Sequence, residues 1–291
     1  GSSLGGLINI ATWQRITLIA AGAGAGIAAT FNTPLGGVMF ALELMLPEVS
    51  SRTFLPVVLA TTTATYIGRL AFGMQNAFVV SLPAATQGDV VNLPLIAGFV
   101  LLGLACGVVS WAFIRVLNFM EQTFERAFRN DYVRHTVGML IVGTLMYGVS
   151  QLYGHYLIAG TSYGTLTALL HGELAGLTIM ALLLVAKLVA TTVSLGSGAS
   201  GGIFSPSLFF GATLGAAMGA GLHLLWPSAG FSAVEFAIVG MAGVVGGGTG
   251  AAMTAIVMVF EMTQDYAIIV PAVLATALAI GVRRRLSVEN I

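Results

Sequence analysis

The stretch Gly196-Ser-Gly-Ala-Ser-Gly-Gly-Ile-Phe-Ser-Pro206 decides how the rest of this chain is interpreted. It lies between two long apolar segments, where each unpaired backbone amide would cost several kcal/mol in hydrocarbon. Pro206 suits the first position of a new helix, so the amides of Ile203 and Phe204 would lie at the positive end of its dipole. Such a helix start attracts anions. The stretch therefore predicts an anion site.

The composition is that of a membrane protein. Hydrophobic residues make up 57% and charged residues 8% of the chain, and the mean hydropathy is +0.96, whereas soluble domains carry roughly 25% charged residues. This excludes a lone soluble globule. The single cysteine, Cys106, is predicted to be a small buried hydrophobe without an intrachain disulfide. Residues 1–12 have no signal-peptide pattern. The predicted location is integral and multi-pass, in a bacterial inner (plasma) membrane.

Basic residues occur in two clusters, although the formal net charge is zero. Lys and Arg concentrate on the cytoplasmic side of membrane proteins, so both clusters are predicted to face the cytoplasm. The loop from Gly73 to Pro94 contains no basic residue and is predicted on the opposite side. The clusters are Arg115, Arg126, Arg129 and Arg134, and then Arg283, Arg284 and Arg285.

Eleven apolar segments follow one another, and several are shorter than the ~20 residues that a straight span requires. Thr30–Pro34 and Gly246–Gly250 interrupt them, as in transporters whose half-helices meet at a central ion site. The predicted fold is an all-α membrane protein with tilted and broken helices. The segments are 15–31, 34–47, 53–72, 93–118, 134–153, 161–171, 174–195, 203–225, 231–247, 250–263 and 266–282.

The chain also matches itself at two places in the same order. Gly1-Ser-Ser-Leu-Gly-Gly6 matches Gly211-Ala-Thr-Leu-Gly-Ala216, and Pro34-Leu-Gly-Gly-Val-Met-Phe-Ala-Leu-Glu43 matches Ala252-Met-Thr-Ala-Ile-Val-Met-Val-Phe-Glu261. We expect one transmembrane domain with repeat halves at about 1–130 and 131–291. Chance similarity between Gly/Ala-rich sequences is the competing interpretation. The paired Glu43 and Glu261 argue most for the repeat, since such residues usually mark a bundle interior or an ion route.

The repeat has a consequence for the start of the chain. In the second copy, the glycine-rich helix start precedes Gly211, whereas Gly1 is already the first residue of the first copy. We therefore expect an internal piece of a longer polypeptide, with N-terminal helices upstream and a cytoplasmic domain as a plausible C-terminal extension.

Three elements in order resemble the CLC family of chloride channels and transporters. They are the 196–206 stretch, Phe31-Asn-Thr-Pro-Leu-Gly-Gly-Val-Met-Phe-Ala-Leu-Glu43, and Gly240-Met-Ala-Gly through Val259-Phe-Glu-Met-Thr-Gln-Asp265. Gly-x-Phe-x-Pro is weak alone, but the three together are specific. The resemblance implies an inverted-repeat helical bundle and a homodimer with one pore per subunit. Segments 34–47, 53–72, 231–247 and 250–263 would supply the dimer interface.

The resemblance also implies a chloride-binding set comprising Gly202, Ile203, Phe204, Ser205 and Pro206, with the ion held on the amides of Ile203 and Phe204. Other family ligands are not in this sequence. The family's Gly-Ser-Gly-Ile-Pro serine and the gating glutamate of Gly-x-Glu-Gly-Pro would precede residue 1. The family's chloride-contacting tyrosine would fall at or just past Ile291.

Transport coupled to protons and passive conduction both remain open. The inner proton-relaying glutamate of the family's exchangers would fall at Leu44, which cannot titrate, as in channel members. This favours a channel-like pathway, with a proton-coupled H+/Cl− antiporter as the alternative because Glu43 is adjacent. Glu43, Leu44 and Glu261 are the candidate gating or proton-path positions.

Lys187, the only lysine, lies in the apolar segment that leads to the glycine-rich stretch. One interpretation is a field that draws anions inward. The other is a side chain that snorkels to the interface or pairs with a carboxylate.

An intramembrane serine protease of the rhomboid type is the remote alternative. Gly198-Ala-Ser-Gly201 resembles the rhomboid nucleophile motif, and His223 follows where a base could lie. This hypothesis explains neither the repeat nor the glutamate pair, and we do not expect an enzyme.

The remaining polar residues indicate no further chemistry. His135, His155 and His171 lack metal-ligand spacing, so neither a metal site nor a cofactor is expected. No nucleic-acid patch occurs. The expected partners are chloride, protons in the exchanger interpretation, membrane lipid and a second copy of the chain.

Overall fold

A computed structural model describes residues 11–73, 93–174 and 176–287. These residues form eleven α-helices, and the described part of the chain contains no strand. The helices are α1 (Thr12–Phe31), α2 (Pro34–Phe40), α3 (Ser51–Phe72), α4 (Leu93–Ala127), α5 (Asp131–Tyr153), α6 (Tyr163–Leu170), α7 (Leu177–Gly196), α8 (Phe204–Leu225), α9 (Ala233–Thr249), α10 (Ala252–Thr263) and α11 (Ile269–Leu286).

The eleven helices match the eleven predicted segments, mostly to within three residues at each end. The largest difference is α4, which continues nine residues past the apolar segment to Ala127. Glu121, Glu125 and Arg126 are good helix formers, so the helix extends although its hydrophobicity ends. The predicted interruption at 30–34 is also present, because Asn32 adopts a left-handed conformation (φ 56°) that ends α1.

Within the described residues, six helices are long and apolar enough to cross a membrane: α3, α4, α5, α7, α8 and the segment Tyr266–Leu286. The prediction of an integral, multi-pass membrane protein is therefore confirmed. Residues 1–6 of the proposed repeat and most of the 73–94 loop lie outside the described residues.

The chain divides into two compact units. The first comprises residues 1–80 and 251–269, which contain α1, α2, α3 and α10. Its helices approach closely through glycine: a Cβ added to Gly24 of α1 would lie 2.5 Å from the Gly37 carbonyl oxygen of α2. A π-helical turn, Ala41–Met45, continues α2 and carries Glu43. Ala20, Ala41 and Val57 belong to the small-residue core that these helices enclose.

The second unit comprises residues 81–250 and 270–291, with α4 to α9 and most of α11. Helix α9 is its centre, since every residue from Glu235 to Thr249 is buried. Polar side chains of α4 bond to α9 carbonyls; Ser110 Oγ donates to Val244 O at 3.2 Å. Cys106 is completely buried in the same packing, which confirms the prediction for the single cysteine.

Arg283, the first residue of the second basic cluster, is buried. Its side chain is only 1% exposed, and its Nε donates to Gly247 O of α9 at 3.0 Å. A buried guanidinium requires such acceptors because an unpaired charge in a low-dielectric interior is very costly. Arg283 therefore helps to hold α11 on α9.

Candidate functional site

The predicted anion segment is an exposed connection between two long helices of the second unit. Helix α7 ends at Gly196, and Gly198 has φ +87°, a conformation that side chains other than glycine rarely adopt. Gly201 and Gly202 are exposed, and Ile203 precedes the 22-residue helix α8. The glycines thus leave the backbone in front of α8 uncovered in this unit.

Helix α8 begins at Phe204, two residues before Pro206, which was the predicted first helical position. Its helical hydrogen bonding starts where Ser207 N donates to Ile203 O at 3.1 Å, so Pro206 occupies the third helical position and not the first. Proline is tolerated there because amides of the first turn have no acceptor within the helix. The corrected boundary keeps the backbone amides of Ile203 and Phe204 at the positive end of α8.

A cavity of about 380 Å³ lies beside this helix start, within the second unit. Gly201, Gly202, Ser205 and Pro206 contribute to its lining. Ile203 and Phe204 lie at the helix start next to these residues. The other lining residues are Val142, Met146, Ile158, Gly160, Thr161, Lys187, Ala190, Thr191, Ser194 and Leu195.

The Ser205 hydroxyl makes bonds within the protein. Its Oγ donates to Thr161 O at 3.0 Å, and it is also hydrogen-bonded to the Tyr163 side chain. Burial raises the pKa of Tyr163 to about 12, so this phenol keeps its proton at neutral pH. An anion at the start of α8 would therefore meet the backbone of Ser205 more readily than its hydroxyl proton.

Lys187 neither snorkels nor pairs with a carboxylate, so the second interpretation offered from the sequence is wrong. Its side chain is 3% exposed, so it does not snorkel, and its Nζ bonds to neutral oxygens and not to a carboxylate. The acceptors are Ile158 O at 3.0 Å, Gly160 O at 2.6 Å and Ser162 Oγ at 2.8 Å. The Nζ also lies 5.6 Å from the centroid of the Phe209 ring. A lone lysine in an apolar helix was the available signal, but its partners could not be identified from sequence.

Glu43 and Glu261 make equivalent interactions in the first unit, since each carboxylate accepts hydrogen bonds from two backbone amides at a helix start. Glu261 accepts from Leu35 N at 3.1 Å and from Gly36 N at 2.6 Å. Glu43 accepts from Met253 N at 3.2 Å and from Thr254 N at 2.8 Å.

Each carboxylate thus binds the amides of the second and third residues of a helix. For Glu261 this is α2, which the turn with Glu43 continues, and for Glu43 it is α10, which carries Glu261. Carboxylates are stabilising at such positive helix ends. Both glutamates therefore hold helix starts, and a gating or proton-path role for them remains a proposal.

We expect Glu261→Ala to lower the stability of the folded protein, because the amides of Leu35 and Gly36 lose their acceptor. Loss of a side chain that caps a helix start costs about 0.5–2 kcal/mol, and it should appear as a lower midpoint of thermal unfolding in detergent. Glu48→Ala is the matched control, since Glu48 lies on the exposed connection that follows the π-helical turn. Equal midpoints for the two variants would contradict the capping role.

Leu44 is 38% exposed and follows Glu43 in the π-helical turn. Its side chain has no titratable group, so the structure adds no acid at this position. The proton path suggested at Glu43, Leu44 and Glu261 therefore depends on the two carboxylates alone.

The serine protease hypothesis fails on distance. Ser200 precedes α8, whereas His223 lies in the last turn of the same helix. At 1.5 Å per residue, the two ends of this stretch are about 30 Å apart, far beyond hydrogen-bond reach.

Within the described ranges, no group of three His, Cys, Asp or Glu side chains could hold a metal ion.

Comparison with known proteins gives one consistent result. The family described as voltage gated chloride channel matches residues 1–284. A "Putative chloride channel protein ClcB-like" from Ralstonia nicotianae is 34% identical, over 89% of this chain and 57% of its own length. An "H(+)/Cl(-) exchange transporter ClcA" from Vibrio campbellii is 32% identical, over 95% of this chain and 58% of its own length. The chain thus spans somewhat more than half of these relatives.

Two solved structures share the fold. A slow cyanobacterial Cl−/H+ antiporter aligns with 99% of this chain at a TM-score of 0.75 and 26% identity. A CLC-type fluoride/proton antiporter aligns with 97% at a TM-score of 0.79 and 26% identity. The chain covers 66% of each of these proteins. The predicted inverted-repeat helical fold class is therefore confirmed.

Proposed function

Because this chain belongs to the voltage-gated chloride channel (CLC) family, we propose that it is part of a transporter that exchanges chloride or a similar small anion for protons. The observation that carries the anion part is the uncovered start of α8, with Gly202 exposed beside a cavity of about 380 Å³. The proton part is supported by relatives whose names or descriptions specify H+/Cl− exchange or anion/proton antiport. These relatives favour exchange over the channel-like pathway preferred from sequence.

The proposed anion site consists of the backbone from Gly202 to Pro206. Backbone N–H groups of Ile203 and Phe204, together with the dipole of the 22-residue helix α8, would replace part of the ion's hydration shell. Neutral donors also allow release, which a transport site requires. Lys187 does not hold the ion, because its ammonium hydrogens already have three acceptors in the protein.

A passive pathway is the second candidate, and Leu44 is the observation that favours it. An apolar residue there cannot relay a proton, so an exchanger built on this chain would need another acid for the inner step. Glu43 is adjacent in sequence, but its carboxylate already accepts from Met253 N, Thr254 N and the Thr254 hydroxyl. Exchange would therefore require this carboxylate to leave the start of α10, or another acid in the complete protein to relay the proton.

The deciding experiment uses the complete natural protein in liposomes loaded with chloride and diluted into low-chloride buffer. We expect chloride efflux to drive proton entry against a proton gradient, measured with a chloride electrode and a pH electrode. Efflux without proton movement would replace exchange by passive conduction. Well-folded protein that passes no anion would overturn both. Repeating the assay with nitrate and with fluoride determines the anion preference.

A homodimer is also proposed. In the first unit, α2, α3 and α10 expose large apolar side chains, including Leu35 at 59%, Leu59 at 59% and Met253 at 53%. These helices correspond to three of the four segments expected at the interface. The fourth, α9, is not available because it is buried along its length within the second unit. Cross-linking between copies through cysteines introduced on α3 would test this surface.

A further inference from the structure

Residues 158–163, here called the wall segment, comprise the end of the connection between α5 and α6 and the first residue of α6, in the second unit. Ile158, Gly160 and Thr161 contribute to the lining of the cavity beside the start of α8. The segment is not helical until Tyr163, and Ser162 has φ 56°, which is uncommon for a residue with a side chain. Such a backbone persists only where surrounding contacts impose it.

The wall segment places carbonyl oxygens beside the cavity. A carbonyl oxygen carries partial negative charge and would repel an anion, so its direction matters here. Three carbonyls of the segment accept hydrogen bonds from outside it: Ile158 O and Gly160 O from Lys187 Nζ, and Thr161 O from Ser205 Oγ.

The Lys187 ammonium is matched to this segment. It has three hydrogens and three acceptors, at 2.6, 2.8 and 3.0 Å. Its third acceptor, Ser162 Oγ, in turn donates to Ala159 O at 3.2 Å. All the donors of the lysine are thus used on the wall segment, and none remains to coordinate an anion.

The other end of the wall segment is tied to the anion site itself. Ser205 lies in the first turn of α8 and bonds to both Thr161 O and the Tyr163 side chain. The position of the wall and the position of the α8 start therefore depend on each other.

We propose that Lys187 is a positioning residue for the anion pathway, which draws the carbonyl oxygens of the wall segment onto its ammonium and thereby keeps them from repelling the anion at the start of α8. The proposal rests on the proposed anion transport. It differs from a long-range attraction of anions, because hydrogen-bond geometry and not charge alone produces the effect. A guanidinium at position 187 would keep the charge but could not match the same three acceptors.

The test measures chloride efflux from liposomes that contain the complete protein and its variants Lys187→Arg, Lys187→Met and Ser162→Ala. We expect both lysine variants to lose about tenfold or more in turnover. Ser162→Ala, which leaves the charge in place, should lose a smaller but measurable part, about threefold. Ser228→Ala is the matched control, because Ser228 lies in the exposed turn after α8.

Lys187→Arg separates positioning from attraction. It keeps the positive charge at this buried position (3% exposed), where salt screens an electrostatic effect only weakly, but it loses the match to the three acceptors. Normal turnover in both Lys187→Arg and Ser162→Ala would overturn the positioning role.

Ser162→Ala keeps the test informative if the lysine variants do not fold, since it removes one hydroxyl only. If the lysine variants do not fold, and folded Ser162→Ala is as active as Ser228→Ala, the inference is wrong. Absence of anion flux from the folded natural protein is a different result, and it would overturn the proposed function itself.

Discussion

Gly202→Leu is expected to abolish anion flux while the protein remains folded. Among the described residues other than its two chain neighbours, no atom lies within 4 Å of a Cβ built on Gly202, so the backbone tolerates a side chain there. The leucine side chain would instead occupy the space beside the amides of Ile203 and Phe204 and exclude the ion. We expect a loss of at least about a hundredfold in chloride efflux from liposomes, because the site is blocked and not merely weakened.

Gly143→Leu is the control for this prediction. Gly143 lies on the exposed face of α5, and a Cβ there also meets no described atom within 4 Å. The two variants add the same side chain at uncrowded positions of the same unit, and only one of them is next to the start of α8. Size-exclusion profiles should be normal for both. Undiminished flux in folded Gly202→Leu protein would refute the assigned site.

Gly215→Ala is expected to have the largest effect on folding. Gly215 of α8 packs on α9, where an added Cβ would collide with the carbonyl group of Phe236. Neighbouring positions repeat the contact, since a Cβ on Gly219 would lie 2.8 Å from Ser232 O. A backbone group cannot rotate away as a side chain can, so the helices would have to separate. Overpacking of this kind costs about 1–3 kcal/mol and sometimes more.

Gly221→Ala provides the matched comparison on the same helix. The nearest atom to a Cβ there is a Leu177 methyl group at 3.6 Å, an ordinary contact. Alanine is favoured over glycine in a helix by about 1 kcal/mol, so this variant should be as stable as the natural protein or more so. Thermal unfolding in detergent measures both. Similar midpoints would mean that the α8–α9 contact is looser than described.

The two glutamates could be identified from the sequence, but their role as helix caps could not. Glu43 and Glu261 stood out because acids in apolar segments without adjacent bases are rare. They align in the two matching stretches, and each caps the helix that carries, or leads into, the other. This reciprocal capping is consistent with the proposed repeat, and it gives both residues a structural reason to be acidic. Proton transport is not needed to explain them.

Lys187 and Arg283 are a second such case. Lys187 is a charge within an apolar segment and Arg283 a charge at the end of one, and such side chains ordinarily extend to the membrane–water interface. Both are buried instead, at 3% and 1% exposure. Their acceptors are backbone oxygens on other segments, and a main-chain carbonyl has no sequence signature. The sequence could therefore identify these residues but not their contacts.

The sequence alone determined the membrane class, the eleven helices, the interruption after α1 and the position of the glycine-rich connection in front of α8. These features depend on hydrophobicity, glycine and proline, which act on the backbone within a few residues of their own position. The tertiary structure decided which groups meet, as between Glu261 and the amide of Leu35, 226 positions away. It also decided that Lys187 donates hydrogen bonds to Ile158 O, Gly160 O and Ser162 Oγ. Such pairs follow from how helices pack, because a buried polar group must find a partner wherever packing brings one within reach.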